Sequence, residues 1–203
     1  LVSDGFTTLQ TTISRHIDTL DTQVAERTRQ LEDALAEVRA LSLTDALTGC
    51  YNRRYLEEWL PPEIVRAARY DRPMSIVFMD VDHFKPINDE HGHATGDAVL
   101  SAVGMRLRAE LREQLDWSAR YGGEEFVIVL PETALEEAIL FAERLRQRIE
   151  ICCTQHQGRE ICVTASFGVT QCLADDDAPA LLSRADALLY RAKEEGRNRV
   201  CSG

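Results

Sequence analysis

Gly122 and Gly123 stand between two apolar runs, Trp117–Tyr121 and Phe126–Leu130, and this pattern constrains the chain most. Two glycines between strand-like runs read as a β-hairpin with its turn at Gly122-Gly123. Two carboxylates, Glu124 and Glu125, follow at the tip. Like charges on a turn repel, so the pair suggests a cation nearby; a solvated acidic turn is the other reading. A second acidic strand end favours the cation. Met74–Met79 is a continuous apolar run that reads as a buried strand, and it ends in Asp80-Val81-Asp82-His83-Phe84-Lys85. A carboxylate there is costly unless paired or bound to metal. Asp80 and Glu124, on neighbouring strands, can offer oxygen ligands to a hard cation such as Mg²⁺. Asp82 would share a face with Asp80 if the strand continued; if the chain turns there, Asp82 caps the loop, and the turn is the favoured reading.

The elements follow in a regular order. Asn52 is placed as the cap of a helix running to about Tyr70. A strand over Ser75–Met79, a helix over Thr95–Gln114 and the hairpin strands Trp117–Tyr121 and Glu125–Leu130 come next. A helix over Ala134–Cys152, a strand over Ile161–Cys172 and a helix over Ala178–Glu195 complete the chain. The order β-α-β-β-α-β is the ferredoxin-like pattern, so the fold class is α+β with an antiparallel sheet and flanking helices.

Residues 1–43 contain one Gly and no Pro and read as one long helix. Heptad position a holds Ile17, Val24, Leu31 and Val38; position d holds Leu20, Arg27, Ala34 and Leu41. Phe6, Leu9 and Ile13 fit another frame, so the step from Ile13 to Ile17 resembles a stutter. The pattern predicts a parallel dimeric coiled coil, with Arg27 a fault in its core; a single helix packed on its own domain is the alternative. The expected division is a coiled-coil segment at 1–43 and a globular domain at 44–203, joined by Ser42-Leu43-Thr44-Asp45.

The chain has 203 residues and 44% hydrophobic content, enough for a sizeable core. No run of 18 apolar residues occurs, so no transmembrane segment is expected, nor does the polar N-terminus resemble a signal peptide. It begins Leu1-Val2 rather than with Met, which suggests a fragment or a processed chain and leaves room for a sensor or membrane domain upstream. Net charge is −11, which disfavours a nucleic-acid-binding surface. The six cysteines (Cys50, Cys152, Cys153, Cys162, Cys172, Cys201) form no CxxC and are expected to be reduced packing residues. Of 23 basic residues only Lys85 and Lys193 are lysines. A compact ammonium suits a triphosphate as a point charge.

Four ordered blocks carry a family resemblance. They are Asp45-Ala46-Leu47-Thr48-Gly49 with Asn52-Arg53-Arg54; Asp80 to Asp89 with Gly92-His93 and Gly96-Asp97; Gly122-Gly123-Glu124-Glu125-Phe126; and Ala185 to Lys193 with Gly196-Arg197-Asn198. Over about residues 44–203 the chain resembles a GGDEF-domain diguanylate cyclase of the GGEEF variant. The resemblance implies a palm-type sheet, cytoplasmic bacterial signalling, and condensation of two GTP to cyclic di-GMP with Mg²⁺ or Mn²⁺. It makes Asp80, Glu124 and the Val81 carbonyl metal ligands. Glu125 becomes either another ligand or a group near the attacking hydroxyl. Gly122 and Gly123 let backbone approach phosphates, and the amides of His83, Phe84 and Lys85 cradle them. Lys193 and Arg197, four apart and so on one helix side, clamp the β/γ-phosphates; helix-end cations opposing the dipole are the structural alternative.

Guanine presents N1–H and N2–H₂ donors, which a carboxylate such as Asp97 accepts, with Asn88 adding a contact to the base edge. His91 and His93 are read as loop residues. One GTP per protomer implies an active homodimer brought together by the coiled coil. The chain departs from the family at the RxxD inhibitory site: the window reads Glu113-Gln114-Leu115-Asp116, with Arg112 one residue early, so tight product feedback is not expected. A catalytically silent GTP-binding or partner-binding module is the competing reading, and a pure coiled-coil scaffold a third. All metal, guanine and phosphate positions are present, which favours the enzyme.

Overall fold

The computed structural model describes residues 43–156 and 158–203, together with Leu20, Gln23, Val24 and residues 26–29. The chain divides into two units, Leu1–Ser42 and Leu43–Gly203. In the first, the described residues are helical, and Leu20 and Val24 are exposed. The rest of the heptad frame, the Ile13/Ile17 stutter included, lies outside the described residues.

The second unit is built around β2 (Met74–Val81), whose every residue is buried. Its β-branched and aromatic residues suit a strand covered on both faces. β2 pairs antiparallel with β4 (Glu125–Pro131) on one side and β7 (Ala165–Gln171) on the other. β3 (Trp117–Gly122) pairs antiparallel with β4. These four strands, in the order β3-β4-β2-β7, form the expected ferredoxin-like sheet. Two short strands extend it in parallel: β1 (Tyr51–Asn52) beside β3 and β8 (Val200–Ser202) beside β7.

Side chains alternate across the sheet. Val77, Met79 and Val81 pack with α3 (His93–Glu110) and α4 (Leu135–Ile151). Ile76 and Phe78 pack on the other face with α1 (Arg53–Tyr70) and α5 (Ala178–Glu194). Asn52 caps α1 as expected, its side chain accepting from the Tyr55 amide at 3.0 Å. α5 begins similarly at Asp177, which accepts from the Ala180 amide at 2.8 Å.

Four expectations are corrected. α2 (Phe84–His91) is a helix directly after β2, where the sequence reading has a loop. The strand expected over Ile161–Cys172 is two elements: β6 (Arg159–Ile161), paired with β5 (Thr154–His156), and β7. The hairpin turn is one residue later than expected, because Gly122 pairs with Glu125 and the chain reverses at Gly123-Glu124. An irregularity between Arg120 and Gly122 absorbs the shift. Finally, Cys153 and Cys162 form a disulfide across the open end of the β5–β6 hairpin. They face one another only because Thr154 pairs with Ile161, a register that their spacing alone does not reveal. Cys50, Cys152, Cys172 and Cys201 are free thiols, as expected.

α5 lies directly on β7 at Gly168. A Cβ there would overlap the Ala185 carbonyl and the Leu189 amide, both backbone groups that cannot swing aside. At Gly122 an added Cβ meets nothing within 4 Å. Gly168→Ala is expected to lower unfolding stability by about 3 kcal/mol, and Gly122→Ala by less than about 1 kcal/mol. Urea denaturation midpoints of the two variants check the contrast.

Candidate active site

The register of the central strands assembles the site. Asp80 sits opposite Glu125 of β4 and Ser166 of β7. Because Met79 and Val81 face α3 and α4, Asp80 faces α1 and α5. Lys193, near the end of α5, meets it there, with Nζ 2.8 Å from Asp80 Oδ2. Asp80 is only 7% exposed. Burial pushes its carboxyl above the ordinary carboxylate range; Lys193 opposes that, while Glu124 and Asp82 add to it. Burial also raises the Glu125 carboxyl, with Asp80 next and Asp186 contributing further. Several acids here share one lysine.

Glu124 lies in the turn, and its carbonyl accepts from the Val81 amide at 3.3 Å. This ties the hairpin tip to the end of β2 and brings Asp80, Val81 and Glu124 together. Arg120 holds the turn from the other side: Nε donates to the Gly123 carbonyl at 2.8 Å, and Nη1 pairs with Asp45 at 3.2 Å. Burial disfavours the Asp45 carboxylate, but hydrogen bonds from Thr48 and the Arg120 charge outweigh it and hold its pKa below the ordinary value. The sequence places Asp45 in a motif block and assigns Arg120 no role; their pairing spans 75 positions.

Asp82 stands at the turn after β2, as the favoured reading has it, and is 3% exposed. Its carboxylate accepts from Ser166 Oγ at 2.7 Å, Thr164 Oγ1 at 2.8 Å and the Asn198 amide at 3.0 Å. Asp82 therefore ties three segments together.

His83 adopts φ +56° and opens α2 without a side-chain cap. Helix geometry leaves the first-turn amides, those of Phe84 and Lys85 among them, without intrahelical partners. Phe84 is buried, while His83 and Lys85 are exposed. Asn88 on α2 and Asp97 on α3 stand on adjoining helices. Gly96 makes that approach possible: a Cβ there would overlap Asn88 Oδ1. The expected helical placement of the C-terminal cations changes. Lys193 pairs with Asp80, and Arg197 lies beyond the helix with φ +65°, so i,i+4 geometry does not apply to the two. Arg112, one residue early for the RxxD arginine, is held by Asp116: Nη2 is 2.7 Å from Asp116 Oδ1 and also donates to the Pro131 carbonyl and Thr133.

Among the described residues no group of three or more His, Cys, Asp or Glu side chains surrounds one point. The carboxylates gathered at the sheet end are Asp80, Glu124 and Glu125, beside the hydrogen-bonded Asp82. That set, in an acid surplus, fits a hard divalent cation.

The profile of the family described as "Diguanylate cyclase, GGDEF domain" matches residues 42–199. The chain is 43% identical over 166 residues to diguanylate cyclase DgcP of Pseudomonas aeruginosa, covering 82% of this chain and 25% of that protein. It is 43% identical over 176 residues to response regulator PleD of Caulobacter vibrioides, covering 85% and 38%. Among solved structures it resembles the coiled coil and GGDEF domain of DgcB from Caulobacter crescentus in complex with c-di-GMP, at TM-score 0.77 and 28% identity over 91% of this chain and 99% of that one. It also resembles the active GGEEF domain of a Vibrio cholerae diguanylate cyclase, at TM-score 0.69 and 36% identity over 75% and 96%. The chain belongs to the GGDEF-domain diguanylate cyclase family. It spans 25% and 38% of the length of the two curated relatives. No helix among the described residues is long and apolar enough to cross a membrane.

Two outcomes follow from this geometry. Gly96→Ala should displace the Asn88 amide; with Asn88 as the expected guanine contact, that raises the KM for GTP about tenfold, the worth of one hydrogen bond, and Asn88→Ala should match it in steady-state kinetics. The raised Glu125 carboxyl means that, above the ordinary value of 4.5, the folded protein holds more proton than the unfolded chain. Its favourable contribution is present at low pH and is lost as pH rises through the folded value. Without divalent cations, Glu125→Gln should therefore be more stable than the parent at pH 7.5, the gap closing toward pH 4. Urea titrations across that range read it.

Proposed function

We propose that this domain is a diguanylate cyclase that condenses two GTP to cyclic di-GMP, releasing pyrophosphate. The observation that carries the reading is the junction of Asp80 on β2 with the Glu124–Glu125 tip of the β3–β4 hairpin, joined through the Val81 amide. Asp80, Glu124 and the Val81 carbonyl would hold Mg²⁺ or Mn²⁺. The bound cation supplies charge neutralisation on the transferring phosphate and lowers the pKa of the attacking 3′-hydroxyl.

The protein's own residues orient the reactants. The amides after His83 take phosphate oxygens at the opening of α2. Gly122 leaves the hairpin backbone open to the triphosphate, since nothing lies within 4 Å of where its Cβ would be. Lys193 and the exposed Arg197 supply positive charge to the β- and γ-phosphates. Asp97 accepts from guanine N1–H and N2–H₂ and Asn88 bonds the base edge, which selects GTP over ATP. Glu125, on the same sheet face as Asp80, stands where it can accept a proton from the hydroxyl or add a ligand.

Each domain presents one set of these residues, and the product needs two nucleotides face to face. The enzyme is thus a homodimer, assembled through the segment 1–43, where Leu20 and Val24 occupy heptad positions and are exposed. An upstream sensor would act through that segment. At the RxxD window, Glu113 replaces the arginine and Arg112 is already committed to Asp116, Pro131 and Thr133, so product feedback there is weak.

Chromatography of the products from GTP and Mg²⁺ tests the reading. The parent should yield cyclic di-GMP. Glu124→Gln should lower the rate at least about a hundredfold, with the oligomeric state and unfolding midpoint unchanged. GTP binding without any product, even with residues 1–43 replaced by a leucine zipper, would make the domain a silent binding module.

A further inference from the structure

A cavity of about 710 Å³ opens between α1 and α5, on the sheet face away from α3. That volume falls within the roughly 300–1,000 Å³ of small-molecule sites. Leu56 and Leu60 of α1, Phe78 of β2 and Leu182 of α5 line it with hydrocarbon; Glu125 and Asp186 stand at its edge. We propose that this cavity binds a small apolar molecule carrying one positive charge, of the arylalkylamine class.

Charge complementarity selects that occupant. No lysine or arginine lines the cavity, while three carboxylates do: Glu57, Glu125 and Asp186. One nearby cation, Arg53, already pairs with Glu57 at the cavity rim, which leaves Glu125 and Asp186 as the surplus charge. Its Nε is 2.7 Å from Glu57, and its guanidinium lies 4.4 Å over the Tyr121 ring. Glu125 and Asp186 make no ion pair or side-chain hydrogen bond among the described residues, and the Lys193 and Arg53 charges reach Glu125 only from beyond ion-pair distance. Backbone chemistry points the same way. Pro61, which lines the cavity with Glu57, has no N–H, so the Glu57 carbonyl lacks its usual helical donor. An ammonium group supplies both charge and donors, and the four apolar side chains cover an aromatic body. In the absence of a divalent cation, a polyanionic nucleotide is disfavoured beside these carboxylates. Glu125 belongs to the cavity and to the catalytic corner alike, so an occupant that pairs with it inhibits; this consequence rests on the proposed cyclase function, whereas binding does not.

Calorimetry on the whole chain, without nucleotide or metal, separates the two. The probes are 4-phenylbutylamine and its neutral counterpart 4-phenylbutan-1-ol. The amine should bind about fivefold more tightly, the worth of partly exposed ion pairs. Asp186→Asn should reduce that preference, and Leu182→Trp should abolish binding of both; Ser183→Trp fills the same space if the first variant fails to fold. Equal affinity for amine and alcohol, or binding that persists in the folded filling variant, overturns the site. In turnover assays the amine should inhibit cyclic di-GMP formation. Binding with unchanged turnover overturns the link to Glu125, and a domain with no turnover in the absence of amine, even with residues 1–43 replaced by a leucine zipper, refutes the cyclase reading while leaving the calorimetric result to decide the site.

Discussion

The structure depends on a buried strand that runs out into carboxylates. β2 is covered on both faces along its whole length, yet it delivers Asp80 and Asp82, 7% and 3% exposed, to the end of the sheet. Burying a carboxylate is costly unless partners offset it. The two acids meet that demand differently. Asp82 is saturated by neutral donors from Thr164, Ser166 and Asn198. Asp80 has an ammonium, Lys193, with Glu124 and Glu125 close by. The saturated acid is thereby structural, and the one in a surplus of negative charge is the one left with demand for a cation.

Positioning of the hairpin tip comes from two clamps that reach across the fold. Arg120 joins the Gly123 carbonyl to Asp45, so the segment before α1 fixes the hairpin turn. Asp82 joins the end of β2 to the start of β7 and to the loop that carries Arg197 and Asn198. A two-residue turn has little rigidity of its own, and Gly123, at φ +52°, has less than most. Anchoring it at both flanks costs side chains far from the chemistry but holds Glu124 against Val81. Side chains oriented by such partners keep their geometry better than loop residues left to themselves.

Legibility followed the range of the interactions. α1 began where Asn52 said it would, because an N-cap acts over three residues. β2, β3, β4 and α5 were readable from local periodicity, and the ferredoxin-like order followed from their sequence. α2 was not: its Phe-Lys-Pro-Ile-Asn-Asp-Glu-His stretch combines a proline with weak helix formers, and packing of Phe84 and Ile87 against the core supplies what propensity lacks. β1 and β8 are two and three residues long and exist only as edges of a sheet already formed. The candidate acids could be named from strand ends, but the Lys193–Asp80 pair, the Arg120–Asp45 bridge and the disulfide join residues far apart in sequence or set by a register no local pattern encodes. Gly96 and Gly168 belong with them, since what each makes room for is the side chain or backbone of another helix.

The Lys193–Asp80 pair also links the two halves of the proposed site. Asp80 has one cationic partner among the described residues, and that partner is the lysine assigned to phosphate. The ammonium and a divalent cation answer the same electrostatic need, so in the proposed site they would compete for Asp80. A lysine released from its carboxylate, about 30% exposed at the end of α5, then favours an anion close by. Nucleotide phosphates and cation would thus assist one another, each relieving the charge the other leaves unmatched. A lysine satisfies this role where an arginine does not, since a compact charge on a flexible stem can change partners without breaking a two-pronged hydrogen-bonded pair. In a chain that otherwise uses arginine almost throughout, the lysine at 193 is consistent with a charge that must move between partners.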